Sequence, residues 1–486
     1  MRFSLIDKIL RTVHRISGTL LSLLFLMWFL TGIVMMYHKF PSASREEKMS
    51  KMEPLRDSLP SLKTVLEKEG LSSDSLSSAS IYRYLETTCY DFGKSVVKVD
   101  SSESYTLSDN QYIAKVVSLW CSSDVKKVDT LNRLEQWIPF GRLKADFPIY
   151  KYYFADNDNT QLYISSKSKE VLQCTTRSER IWAWFGAIPH WVYFTWLRQD
   201  VETWKEVIIW LSIVGMIMLL SGLWLAIRSF RISCKQGRGV RSPYKKRWYR
   251  WHHVFGTVFG LFLFTWIMSG MYSLTKIPDW LGREHQKYEP WFKMNAGLAD
   301  LDSYTLDLNT VREAYKDSLI RMEYGRFYKE PYYKLLTKGG EELFVSASDT
   351  VVKPFYADSS LVRAAVEDIH KGEKVTISLM TEYDNYYIDL KGKMALPVWK
   401  AEVQNKDHSR YYVNPVNGSV RGINRHSKWQ FQLYQGLHSL RYKLFVGHHA
   451  LWTVVMWALL LAGAFVSLTG VVLGVRYVIR LFRRKR

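Results

Sequence analysis

Four cysteines in 486 residues, with no CxxC and no CxxCH, remove most thiol chemistry at the outset. Cys89, Cys121 and Cys174 lie in one long polar segment and Cys234 in a short basic loop, so that segment can form at most one internal disulfide. A disulfide framework, a thiol-redox motif and covalently attached haem have no support in this sequence. No GxGxxG follows a strand, and Walker A and HExxH motifs are absent. That removes the usual routes to nicotinamide, flavin, phosphate-loop and zinc-protease chemistry. The basic loop contains no acid. The last absence is the most informative: four long apolar runs contain no charge of either sign.

Those runs are 17–37, 207–227, 254–275 and 450–475. Each is near or above the roughly 20 residues a helix needs to cross about 30 Å of hydrocarbon, so the chain reads as an integral membrane protein. The net charge of +21 would suit nucleic acid, but its placement does not. Arg2, Lys8, Arg11 and Arg15 precede the first run. Arg228, Arg231, Lys235, Arg238, Arg241, Lys245, Lys246, Arg247 and Arg250 fill the loop between the second and third. Arg476, Arg480, Arg483, Arg484, Lys485 and Arg486 follow the fourth. This is the positive-inside pattern, which places both termini and the middle loop in the cytoplasm, with lipid as the partner of these charges. The first run is too long for a signal peptide and no small-residue cleavage site follows it, so it is expected to be retained.

The expected organisation is a cytoplasmic tail 1–15, spans 16–38 and 204–228 around an outer module 39–203, and a basic cytoplasmic loop 229–251. Spans 252–275 and 448–475 then enclose a second outer module, 276–447, before the basic tail 476–486. The halves repeat. HRISGTLLSLLFLMWFLTGIVMMY from His14 matches HHVFGTVFGLFLFTWIMSGMYSL from His252, pairing Gly18 with Gly256, Trp28 with Trp266 and Thr31-Gly32 with Ser269-Gly270. His190, Trp204 and Ser221-Gly222 match His438, Trp452 and Thr469-Gly470. Outside the spans, FPIYKYYFADNDNTQLYISSKSKEVLQ matches LPVWKAEVQNKDHSRYYVNPVNGSVRG, pairing Lys151 with Lys400 and Tyr163 with Tyr412. Both read as strand, turn, strand, turn, strand. Helices over 60–69 and 310–316, and strands over 332–337 and 342–346, complete a small α+β module in each half. The fold class is therefore a membrane α-helical, four-helix bundle from a tandem duplication, carrying two extracytoplasmic α+β modules.

Histidines set symmetrically at membrane-helix ends suit b-type haem, two groups per chain. Neutral imidazole is a good axial ligand. Gly18 and Gly256, one turn past His14 and His252 on the same face, make room for a porphyrin. His14 and His252 form an inner pair; His190 and His438, carried by the aromatic segments IWAWFGAIPHWVYFTWLR and WQFQLYQGLHSLRYKLFVGHH, form an outer pair. His253, His448, His449 and His38 are alternative ligands, while His285, His370, His408 and His426 read as surface residues. Arg15, Arg247 and Arg250 inside, and Arg198, Arg441 and Lys443 outside, are candidate propionate partners. With only tails and one loop in the cytoplasm, the electron donor must be a quinol or a separate cytoplasmic reductase.

The motifs WHHVFGTVFGLFLFTWIMSGMYSL, PHWVYFTWLR and GLHSLRYKLF, with the spans ending in Ser221-Gly222 and Thr469-Gly470, resemble the PepSY-associated transmembrane helix family of bacterial inner-membrane proteins. The resemblance implies PepSY-like outer modules in the periplasm. It also implies kinship with haem-containing ferric-siderophore reductases, which release iron by reducing it there. The expected function is thus a dihaem cytochrome that reduces a ferric siderophore or other ferric chelate, an oxidoreductase needing no catalytic acid, base or nucleophile. Two other readings stand beside it. One is a non-enzymatic PepSY binding or regulatory protein; the other is an iron-chelate transporter, which the lack of intramembrane Asp or Glu disfavours for a bare cation.

Overall fold

The computed structural model describes residues 5–484 apart from 57, 73–75, 94, 100–107, 238, 240, 284, 286–291 and 391. Arg2, Arg238, Lys485 and Arg486 of the basic clusters lie outside the described residues. Among the described residues, four helices are long and apolar enough to cross a membrane: Leu5–Met35, Val201–Lys235, Arg247–Met271 and His449–Arg483. All four begin before the uncharged runs do. The first starts at Leu5, so His14 lies nine residues inside it and does not open it. Asp7 in its first turn favours that earlier start, because a carboxylate is stabilised at a helix N-terminus. The second starts at Asp200, whose carboxylate accepts from the backbone N–H groups of Glu202 and Thr203.

The chain divides into two compact units. The first holds the residues up to Ser42, Ser123–Ile277 and those from Gln430 onward. In it the four spans form a ring in which the first and third each pack against the second and fourth, so the first and third are diagonal partners. Phe25, Phe29, Leu263, Trp266 and Leu460 fill the middle of the bundle. This unit also carries a four-stranded antiparallel meander: Val125–Leu131, Ile149–Phe154, Gln161–Ser165 and Val171–Thr175. The short helices Arg177–Phe185 and Ala187–Trp191 follow it, the former opened by a capping box of Thr176 and Glu179.

The second unit, Ala43–Ser122 and Pro278–Trp429, contains two sheets. One is a four-stranded meander, Val375–Met380, Val398–Val403, Arg410–Val413 and Val420–Ile423. The other has six strands, and it does not respect the expected module boundary. Strands Ala79–Tyr84, Thr87–Asp91 and Val96–Val99 join Leu319–Phe327, Glu330–Thr337 and Glu342–Ser346 through antiparallel pairing of 79–84 with 319–327. Ile81 sits opposite Met322, both with no exposed surface. Each three-stranded meander alone would leave an apolar edge open, and pairing the two edges removes both. The segments 39–203 and 276–447 are thus not two self-contained sheets.

Candidate functional site

The cluster of interest lies entirely within the first unit. His14 on the first span and His252 on the third face each other across the bundle, ring centroids 6.1 Å apart and planes 43° apart. Each ring is held from behind through Nδ1. His14 Nδ1–H donates to the Met218 carbonyl at 2.9 Å. His252 Nδ1 meets Thr469 Oγ1 at 2.8 Å. Both Nε2 atoms are left facing a cavity of about 410 Å³ at the basic end of the bundle. Gly18 and Gly256 line it as expected: a Cβ at Gly256 would meet nothing within 4 Å, and one at Gly18 only Met218 Sδ at 3.7 Å.

The second pair repeats this arrangement at the far end. His190 Nδ1 lies 3.1 Å from Thr31 Oγ1 and 3.2 Å from the Trp28 carbonyl. His438 Nδ1 lies 3.2 Å from Ser269 Oγ and 3.3 Å from the Trp266 carbonyl. The two rings are near enough to interact electrostatically. Both sit on one-turn helices that end two residues later in a left-handed residue, Val192 at φ 54° and Leu440 at φ 51°. A β-branched valine there is strained, and packing holds it. Indole N–H groups fix both turns: Trp204 donates to the Trp191 carbonyl and Trp452 to the Ser439 carbonyl, each at 2.9 Å. Along the first span, 17 residues separate His14 from Thr31, or about 25 Å of helix axis.

Other expected residues fall elsewhere. His448 and His449 are exposed, the latter against the Trp452 ring. His38 stacks flat on Trp182 with centroids 4.2 Å apart. His253 is buried between Phe230 and Tyr244, about 100° round the helix from His252, and turns neither nitrogen to a partner. Of the inner cations, Arg15 lines the cavity, but Arg247 and Arg250 do not. Two and five residues before His252, they point to other faces of the third span. Arg11, Arg228 and Arg480 line the mouth in their place, with Tyr244, Tyr249 and Tyr477. Arg228 is already paired with the buried Asp7. At the far end Arg198 is caged by Phe140, Tyr193 and Trp204, its guanidinium 4.6–5.1 Å from their centroids. Arg441 and Lys443 are exposed.

His370 is not a surface residue: it is 2% exposed in the second unit. Its Nδ1–H donates to Glu373 at 2.7 Å, so Nε2 accepts from the Tyr411 hydroxyl at 2.6 Å. Both nitrogens are used within the core, which leaves nothing for a ligand. His285 bonds Asp407 at 2.7 Å, and His426 bonds the Gly282 carbonyl at 2.9 Å. Cys89, Cys121, Cys174 and Cys234 are all free thiols. A further pairing escaped the sequence reading. Lys151 and Tyr163 share Glu135 in the first unit, as Lys400 and Tyr412 share Asp384 in the second. The carboxylates sit in loops whose sequences do not match, so only the structure reveals them as equivalents.

The family model of the PepSY-associated TM region matches residues 12–373, three quarters of the chain. The chain belongs to this family. The matched stretch carries three of the four paired histidines, and His438 lies beyond it. No curated protein matches this chain. As a PepSY-associated TM protein it combines four candidate spans with sheet-bearing domains.

Proposed function

We propose that this PepSY-associated TM protein is a two-haem b-type cytochrome of the bacterial inner membrane. On this reading it carries electrons outward and reduces a periplasmic ferric chelate, a siderophore above all. The observation that carries the proposal is the 6.1 Å between the His14 and His252 rings. Metal–imidazole bonds of about 2 Å on either side of one iron put ring centroids roughly 6 Å apart. The donor set agrees: two imidazoles are too few for a bare divalent cation, whereas His14 and His252 would together hold a haem iron. The cavity is within the roughly 300–1,000 Å³ usual for cofactor sites. Arg15, Arg11 and Arg480 at its mouth suit propionates.

Bound haem would supply a one-electron Fe(III)/Fe(II) couple. The rest is the work of side chains. His14 and His252 would hold one group at the basic end, and His190 and His438 a second at the far end. Between the levels, Phe25, Phe29 and Trp266 exclude water, with Phe29 and Trp266 centroids 5.4 Å apart and Trp266 6.0 Å from the His438 ring. Reduction is enough to release iron, because hard-oxygen chelators hold Fe(III) far better than Fe(II). A quinol or a separate cytoplasmic reductase would deliver electrons to the basic end.

The common order of elements in the two halves supports descent from a tandem duplication with PepSY-like modules. In each, a capped helix (Leu62–Glu69, Leu308–Tyr315) leads to a three-stranded meander, a second helix (Asp109–Trp120, Ser359–Ile369) and a four-stranded meander. The deciding experiment is an absorbance spectrum of detergent-purified protein, oxidised and dithionite-reduced. Two b-haems per chain are expected, with one lost in His14→Ala or His252→Ala. A colourless preparation from haem-replete cells would overturn the proposal in favour of a binding or regulatory role.

A further inference from the structure

The four Ser/Thr-Gly dipeptides that repeat along the spans each lie behind one of the four histidines. Ser221-Gly222 backs His14, Thr469-Gly470 backs His252, Thr31-Gly32 backs His190 and Ser269-Gly270 backs His438. Ser221, Thr469 and Ser269 donate their hydroxyl protons to the carbonyl three residues back, at 2.7–2.8 Å; Thr31 donates to the Met27 carbonyl at 2.7 Å. A hydroxyl whose proton is committed can only accept. The carbonyls of Met218, Trp28 and Trp266, which meet Nδ1 of His14, His190 and His438, can likewise only accept.

We infer that the four Ser/Thr-Gly dipeptides, together with the helix carbonyls that precede them, are a ligand-orienting device that locks every one of these imidazoles as the Nδ1–H tautomer, with the Nε2 lone pair aimed at the bundle interior. This inference deepens the haem reading and rests on it for its purpose, though not for its geometry. The donor atom is chosen, and the ring's rotation fixed, before any metal arrives.

The glycines grade the device. A Cβ at Gly222 would stand 2.5 Å from His14 Cε1 and 2.8 Å from its Nδ1, so the ring lies against bare backbone. At Gly270 the nearest ring atom is His438 Cε1 at 3.3 Å, which a small shift relieves. At Gly32 and Gly470 the ring atoms are 3.6 Å away, ordinary contact, and the nearer neighbours are Leu460 Cδ2 at 3.0 Å and Ser22 Cβ at 3.2 Å, not a histidine. The backing of the inner pair is unequal too. His14 leans on the Met218 carbonyl alone, whereas His252 leans on the Thr469 hydroxyl beside the Val466 carbonyl, so part of the hold on His252 is a side chain that mutation can remove.

The test has two arms. In the first, ¹⁵N NMR of histidine-labelled, haem-free protein in bilayers reads the tautomers directly. The Nδ1–H form is expected at the four paired histidines, and Thr469→Val is expected to weaken the hydrogen bond at His252, leaving the Val466 carbonyl as its acceptor, while Thr469→Ser keeps it. Nε2–H signals at these positions in wild-type protein would overturn the inference whether or not the protein binds haem. In the second, redox titration of haem-loaded protein should show Thr469→Val raising the midpoint potential of one haem and leaving the other in place, with Thr469→Ser close to wild type. The rise is expected because an imidazole that has lost one of its hydrogen-bond acceptors is a weaker donor to Fe(III). Gly222→Ala should lose that same haem, while Gly470→Ala should retain it. A Thr469→Val potential equal to wild type, or equal haem loss in the two glycine variants, would overturn the inference. Absence of haem from wild-type protein would sink the haem reading alone, since the tautomer arm stands without it.

Discussion

Asp7 has no exposed surface, although it lies in the first turn of a membrane-spanning helix, and it pairs with Arg228 near the end of the second span. Breaking a buried ion pair by removing one partner typically costs about 3–5 kcal/mol, because the other charge stays desolvated. Asp7→Asn should therefore lower the thermal unfolding midpoint in detergent markedly, and an unchanged midpoint would show the pair to be dispensable. This contact escaped the sequence reading because Asp7 lies outside the uncharged run 17–37. The dipeptides behind the histidines escaped it differently. Thr31-Gly32 and its mates were visible as repeat landmarks, yet on a membrane helix Ser, Thr and Gly ordinarily signal close helix packing. Only the positions of the rings give them a second meaning.

Among the elements, the spans were legible because hydrocarbon imposes length and composition at once. What hydropathy could not supply was rotation about each helix axis. Gly18 and Gly256 face open space, while Gly215 and Gly463 take the rings of Phe25 and Phe29, whose carbons would stand 2.5–2.6 Å from an added Cβ. In sequence the four glycines look alike. The difference predicts that Gly256→Leu folds with near wild-type stability, since a Cβ there meets nothing within 4 Å, yet abolishes the proposed haem binding at the basic end by filling its space. The checks are haem content against total protein and the unfolding midpoint. Loss of both together would mean that the cavity supports the fold and nothing more. Arg247 and Arg250 illustrate the same point: their proximity to His252 in sequence places them on the wrong faces of its helix.

For the whole molecule, the six-stranded sheet ties residues 79–99 to 319–346 through the pairing of Ile81 with Met322. Ile81→Lys would bury an unpaired cation at that seam. Both meanders should then lose amide-exchange protection together, read by hydrogen–deuterium exchange on peptides from the two segments. Loss confined to 79–99 would mean that the second meander stands alone. Strand pattern foretold the individual strands well, including 342–346 to the residue, because alternation is a local property. Which strand pairs with which is not local, so two modules were expected where the sheet is shared.

The sequence by itself determined that the chain has four stretches long and apolar enough to cross a membrane, and that four histidines recur at matched places among similar motifs. Those features are written in run length, charge and spacing. Only the tertiary structure decided that first and third spans are diagonal, that His14 and His252 meet at 6.1 Å, and that the sheet strands of the two halves are joined. Distance between residues far apart in the chain depends on how helices rotate and pack, and no periodicity along one helix records the orientation of its neighbour.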